Sequence, residues 1–179
     1  YEAKKAGVFA GEAFMYRVHP QTEKLVELVK SGVIGEIRII RSSFGFSMGT
    51  YRPEHRLFAN ETAGGGILDV GGYPVSMARL IAGAAADKPF LDPEKVSGVA
   101  HLGQSGVDEW ASAVLKFPNE IIAEVSCSIM AQQDNVLRII GSQGRIEVKD
   151  FWFASGHKGG VGKIEIFKNG EQETIEVKE

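Results

Sequence analysis

The chain has 179 residues, 44% hydrophobic and 24% charged, with a formal net charge of −3; that is enough for a real core and too balanced for a nucleic-acid-binding arm. A single cysteine, Cys127, leaves no partner for an intramolecular disulfide and suits a reducing compartment, so a cytoplasmic location is expected. The apolar runs fall far short of the ~20 residues of a membrane helix, and the opening stretch YEAKKAGVFAGEAF reads without a signal-peptide core, so neither membrane nor nucleic acid is an expected partner.

In chain order, YEAKKAG reads as the last turns of a helix stopped by Gly7, without an initiator Met, so the chain is expected to begin inside a larger protein. Val8 to Met15 is strand-like. HPQTEKLVELVKSG then takes helical spacing, with Leu25, Leu28 and Val29 on one stripe, Pro20 in the first turn and Gly32 as the stop. Glu36 to Met48, rich in β-branched and aromatic residues, predicts a long strand. Gly49 to Gly64 has no period and reads as an irregular excursion over the surface, of a length that often carries function.

The stretch GGGILDVGGYP, Gly64 to Pro74, packs five glycines into eleven residues and leads into a buried helix, kinked or restarted near Pro74 and ended by Gly83. AAADKPFLDPE is a linker. Seven strand patterns follow, joined by turns at Pro118-Asn119, Gln143-Gly144 and Asn169-Gly170, and an antiparallel meander is the economical reading. GHKGGVGK, Gly156 to Lys163, lacks the ending of a phosphate loop and reads as a hairpin tip. The order predicts an α+β fold: a large, open, mostly antiparallel sheet with helices packed on one face. In IIAEVSCSIM the set Ile121, Ala123, Val125, Cys127, Ile129 is apolar and the alternate set mixed. The second face therefore needs water, a partner subunit or another domain.

If Gly66 to Gly72 is helical, Asp69 and Tyr73 stand four residues apart on one face, a usable acid/base pair. A phenol with an ordinary pKa of about 10 needs a nearby cation to be a base at neutral pH. The glycines would let a ligand or a neighbouring backbone approach the helix start, whose free N–H groups favour negative charge. The same residues also fit plain helix packing, with Tyr73 a half-buried aromatic. In MYRVHP, Arg17 and His19 lie at a strand-to-helix junction, where His19 either meets a ligand or caps the helix; Arg52, His55 and Arg56 precede the glycines. The four histidines have no ligand spacing, so no metal site is indicated.

Taken together, EAFMYRVHP, GVIGEIRII, RLFANETAGGGILDVGGYPVSMARLIAG and LRIIGSQGRIEV, in that order and at these separations, resemble the C-terminal domain of the Gfo/Idh/MocA oxidoreductases, over essentially the whole chain. The resemblance implies an N-terminal Rossmann domain that holds NAD or NADP and is missing from these residues, together with the Lys of the family's E-K-P motif. Residues 1–179 would then be a single C-terminal substrate and dimerisation domain of a larger dehydrogenase. The intact protein would transfer hydride to or from a sugar, cyclitol or related polyol, and the isolated chain would be inactive. By resemblance Asp69 and Tyr73 match catalytic positions, with Tyr as in the glucose-fructose oxidoreductase and dihydrodiol dehydrogenase branches. Arg17, Arg56 and His19 fall on the substrate side, and the open sheet face implies a homo-oligomer. The alternative is a catalytically inactive oligomerisation or ligand-sensing domain.

Overall fold

The period-two patterning of the second half builds a sheet, seen in a computed structural model that describes residues 2–153 and 160–178. Its strands are β1 (Ile37–Gly45), β2 (Lys95–Leu102), β3 (Asp108–Lys116), β4 (Ile122–Ser128), β5 (Leu137–Gly141), β6 (Gly144–Val148), β7 (Val161–Lys168) and β8 (Glu171–Lys178). They lie in the order β2-β3-β4-β1-β5-β6-β7-β8. Among the described residues the one parallel pair is β1 with β4, in a register that sets Ile40 beside Ala123 and Phe44 beside Cys127; the other neighbours are antiparallel. The expected meander is thus opened in its middle. The early strand inserts between β4 and β5, where both its edges are paired and the face that carries Ile40 and Phe44 is buried.

Alternation decides which face is dry. Ile40, Val125, Ile139, Ile146 and Ile164 point inward and are buried, each contributing roughly 1.5–3 kcal/mol relative to exposure. Helices α2 (Pro20–Lys30) and α3 (Gly72–Ala84) cover this face, α2 over β7 and β8 and α3 over β1 and β4. Pro20 occupies the first turn of α2, the His19 Nδ1 accepts the Gln21 N–H at 3.1 Å, and Gly32 turns the chain away at φ +67°. The β7–β8 hairpin turns on Asn169 (φ 55°) and Gly170 (φ 82°), both in the left-handed region that a tight two-residue turn requires.

The opposite face carries no helix among the described residues. It presents Ser43, Ser112 and Ser126, with cross-strand ion pairs such as Arg41–Glu124 (2.7 Å) and Arg138–Glu147 (2.9 Å). Val99, Trp110, Val114 and Ile122 stand exposed between them, and His101 lies flat on the Trp110 ring at 3.9 Å.

Two local expectations are corrected. Residues 8–14 form no strand: no neighbour offers a ladder, Phe9 is 97% exposed, and Met15–Val18 is a short 3₁₀ turn. The short N-terminal helix α1 (Glu2–Ala6) does precede Gly7, which has φ +65°. Gly83 does not end α3, which runs on to Ala84; it is bare because the Phe90 backbone crosses it, 2.7 Å from where a Cβ would stand. The expected restart near Pro74 is seen: a π-helical turn over Ile67–Gly71 gives way to α3 at Gly72, two residues before the proline. The excursion over 49–64 contains two 3₁₀ turns, Arg56–Phe58 and Asn60–Thr62. Of the expected hairpin tip, residues 156–159 lie outside the described residues, and Val161 already belongs to β7.

Candidate active site

Most of the glycines in GGGILDVGGYP prove to be seats for the helix start. A Cβ at Gly64 would lie 2.5 Å from the Leu57 carbonyl oxygen, and one at Gly71 would lie 3.0 Å from the Cys127 Sγ. At Gly65, with φ +104°, it would fall on the Asp108 carboxylate, and at Gly66 it would meet that carboxylate at 3.2 Å and the Ser128 Cα at 3.4 Å. The π turn therefore rests directly on the ends of β3 and β4. Its first N–H does not await an anion: Ile67 N–H donates to Asp108 Oδ2 at 2.7 Å. The expectation of an open, anion-seeking helix start is corrected on this point. The approaching groups are the chain's own backbone and its own carboxylate.

With the turn seated in this way, Asp69 and Tyr73 stand about one turn apart on the same helical stretch, close enough for the Asp69 charge to act on the phenol. Arg56, from the 3₁₀ turn that ends the excursion, donates from Nη2 to Asp69 Oδ1 at 2.8 Å. The Asp69 side chain is 15% exposed and that of Arg56 64%, so the pair sits at a rim with its cation outward. The Tyr73 ring is wedged edge-on between Phe14 (4.9 Å) and Phe44 (5.2 Å), with Trp152 at 5.7 Å and Tyr16 at 6.0 Å. Trp152 is itself locked by an Nε1–H bond to the Ser43 carbonyl at 2.7 Å. Burial pushes the Tyr73 phenol above its ordinary pKa, and the carboxylates of Asp69 and then Glu12 push it further the same way.

The other candidates are engaged in other contacts. Arg17 lays its guanidinium over the Phe90 ring at 4.6 Å, on the linker after α3, and Arg79 approaches the same ring at 5.5 Å. His19 caps α2, and His55 caps the 3₁₀ turn of Arg56 by accepting the Leu57 N–H at 3.2 Å. Sequence reasoning did not find Asp108 or the aromatic cage of Phe14, Tyr16, Phe44 and Trp152. Asp108 lies 41 residues beyond the amide it caps, a distance at which no local pattern operates. Two of the cavities that lie elsewhere are about 600 Å³, on the helix-free face around Arg41 and Ser126, and about 270 Å³, between the π turn and β2–β4, lined by Ile67, Val75, Ala111 and Cys127. Neither is lined by Arg56, Asp69 or Tyr73.

An open mixed sheet with helices on one face, carrying Asp69 and Tyr73 on a glycine-seated helix, defines an α+β domain class. Residues 22–147 match the family described as the GFO/IDH/MocA C-terminal domain, and the chain belongs to that family. Over 151 residues, 84% of this chain and 43% of the relative, it is 34% identical to the trans-1,2-dihydrobenzene-1,2-diol dehydrogenase of Mus musculus. It is 30% identical over 147 residues to that of Homo sapiens, covering 82% of this chain and 41% of the relative. The chain thus spans less than half the length of these relatives. Its fold matches a 3-ketoreductase from Actinomadura kijaniata, solved with TDP-benzene and NADP, with a TM-score of 0.79 at 24% identity, covering 98% of this chain and 50% of that one. It also matches an aldose-aldose oxidoreductase from Caulobacter crescentus, with a TM-score of 0.79 at 21% identity, covering 96% and 49%.

Proposed function

We propose that residues 1–179 are the C-terminal, substrate-side domain of a nicotinamide-dependent oxidoreductase, transferring hydride between a sugar, cyclitol or related diol carbon and NAD or NADP held on a separate domain. The relatives named above, dehydrogenases of a diol and a ketoreductase solved with NADP, support the reading. The observation that carries it is the Tyr73 phenol one turn from an Asp69 tied to Arg56.

The residues present fit the reacting end of such a cofactor. The Ile67 amide is taken by Asp108, so this helix start does not offer it to a phosphate, whereas Leu68, next to Asp69, offers an apolar surface 68% exposed. When bound, the nicotinamide gives or takes the hydride. Tyr73 handles the proton: in reduction its O–H donates to the carbonyl oxygen as the carbon gains hydride, and in oxidation the alcohol proton passes to the phenolate oxygen as the C–H hydride leaves. A phenol raised above 10 is protonated at neutral pH and is ready as a donor; acting as a base, it requires a cation such as the Lys that the family resemblance implies outside these residues. Asp69 and Arg56 hold the substrate-side network, with Arg17 and His19 further out beside Phe90 and at the start of α2. Positioned acid/base groups contribute about 10²–10⁴-fold, so Tyr73→Phe in the intact enzyme is expected to lose hydride transfer on that scale. An undiminished rate over the whole pH range would remove the proton-transfer role.

By itself the chain is expected to catalyse nothing, which turnover of a polyol panel with NAD(P) by these 179 residues would contradict. The helix-free face, with exposed Val99, Trp110, Val114 and Ile122 among paired charges, is proposed to bind a second copy. Light scattering tests this, and a clean monomer would refute it.

A further inference from the structure

The connection between β2 and β3 reaches both segments that meet in the Arg56–Asp69 ion pair. From that turn the Ser105 carbonyl accepts from Asn60 Nδ2 at 2.7 Å, four residues after Arg56. From the first position of β3 the Asp108 carboxylate accepts the Ile67 N–H at 2.7 Å, two residues before Asp69. Asp108 is itself anchored. The carbonyl of the next residue, Glu109, accepts the Ile129 N–H at 2.9 Å and the Ser128 hydroxyl at 3.0 Å, while Val107 is buried and holds Gly103 at 2.9 Å.

A helix start is ordinarily satisfied by a Ser, Thr, Asp or Asn just ahead of it. Here that place is Gly66, which has no side chain to offer, and the acceptor comes from a different strand. A local cap would move with the helix. A cap fixed to the sheet pins the turn in space, and the bare Cα atoms of Gly65 and Gly66 leave room for it and for nothing larger. The π turn that follows is one residue wider than an α turn, a rare geometry found mostly as single turns within helices.

We propose that Asp108 is a positioning residue for the proton-transfer site: through the Ile67 amide it sets the register of the π turn, and so where Asp69 stands relative to Arg56 and Tyr73, without itself touching substrate. The role assigned to that site rests on the functional reading above. Asp108→Ala and Asp108→Asn in the 179-residue chain test it by amide hydrogen exchange at Ile67, NMR titration of the Tyr73 phenol and thermal melting. A hydrogen bond to a charged group is worth enough that its loss from Asp108→Ala should speed Ile67 exchange on the order of tenfold or more. The Tyr73 titration should shift with it, while amides of β5–β8 keep their rates. Asp108→Asn, which keeps an acceptor in place, should restore most of both.

Wild-type exchange at Ile67 would overturn the proposal. So would a loss spread evenly over the sheet with the Tyr73 titration unmoved, since that is the mark of a merely stabilising residue. Should Asp108→Ala fail to fold, Asp108→Glu decides. Its carboxylate is one methylene too long for the same seat, so Ile67 exchange and Tyr73 titration should move together, and an unmoved Tyr73 overturns the proposal. None of these signals uses turnover. Failure of the Tyr73→Phe kinetics would therefore sink the proton-transfer reading and leave these results standing, and the converse also holds.

Discussion

Replacing Gly65 by alanine perturbs the seat of the site at a single atom. The residue has φ +104°, and the new Cβ would fall on the Asp108 carboxylate, 3.3 Å from the Asp108 backbone nitrogen. Holding an L residue in a left-handed conformation costs about 1–2 kcal/mol, and expelling the carboxylate from its bond to Ile67 costs about 1.5–3 kcal/mol. Together these give about 2.5–5 kcal/mol, a large share of the roughly 5–15 kcal/mol that holds a typical domain folded. At roughly 2–4 °C per kcal/mol for a chain of this size, melting followed by circular dichroism should fall by about 5–20 °C. The double variant Gly65→Ala with Asp108→Ala should recover part of the loss, because the clash then has no partner, and the cycle would show a coupling of about 0.5–3 kcal/mol. A Gly65→Ala protein within about 0.5 kcal/mol of the parent would refute the packing account of these glycines.

Cys127 is buried and its thiol is pushed up to about 11, chiefly by burial and then by the Asp108 charge. Compared with a free thiol at 9.0, its thiolate fraction at pH 8 is lower by about 100-fold, so native labelling by a thiol reagent should slow by at least that factor, and rapid native labelling would contradict the burial. Tyr16 and Tyr73 are both raised above 10, burial being the first cause for each. Their contribution to stability is full below the unfolded pKa of about 10 and is lost as pH rises through the folded values. Denaturant midpoints should therefore fall above about pH 10, and Tyr16→Phe or Tyr73→Phe should flatten that fall; an alkaline limb unchanged by both would contradict it. Gly83→Ala should destabilise by about 1–3 kcal/mol, because its Cβ would meet the Phe90 Cα at 2.7 Å and the Lys88 carbonyl at 2.9 Å, backbone atoms that cannot rotate away. A neutral result in urea titration would mean that the linker after α3 is free to shift.

How much of this was legible in the chain depends on the range over which each feature is decided. Alternation in IIAEVSCSIM is a property of neighbours, and its buried set Ile121, Ala123, Val125, Cys127 and Ile129 emerged as read. The cap on α2 at His19-Pro20 and the Asn169-Gly170 turn are likewise complete within two to four residues, and they stand where the local chemistry puts them. Strand order is another matter. Nothing in the residues of β1 says that it will part β4 from β5, because that choice is made by edges that do not exist until the sheet forms. Residues 8–14 show the converse failure: strand-like composition without a neighbouring strand yields no strand.

The glycine run joins the two cases. Its spacing pointed to Asp69 and Tyr73 as a pair, and the plain packing alternative stood beside that reading; the geometry makes them one arrangement. Gly64, Gly65, Gly66 and Gly71 are bare so that a helix can press against Leu57, Asp108, Ser128 and Cys127, and that pressure sets Asp69 within 2.8 Å of Arg56. Packing at the rear of the turn is thus the condition for the Arg56–Asp69 pair at its front. Because the acceptor that completes the seat lies 41 residues away on another strand, a pattern search confined to the motif finds the pair but not the residue that holds it. A side chain restored at the glycines should therefore disturb the Arg56–Asp69 pair even though none of those glycines contributes an atom to it.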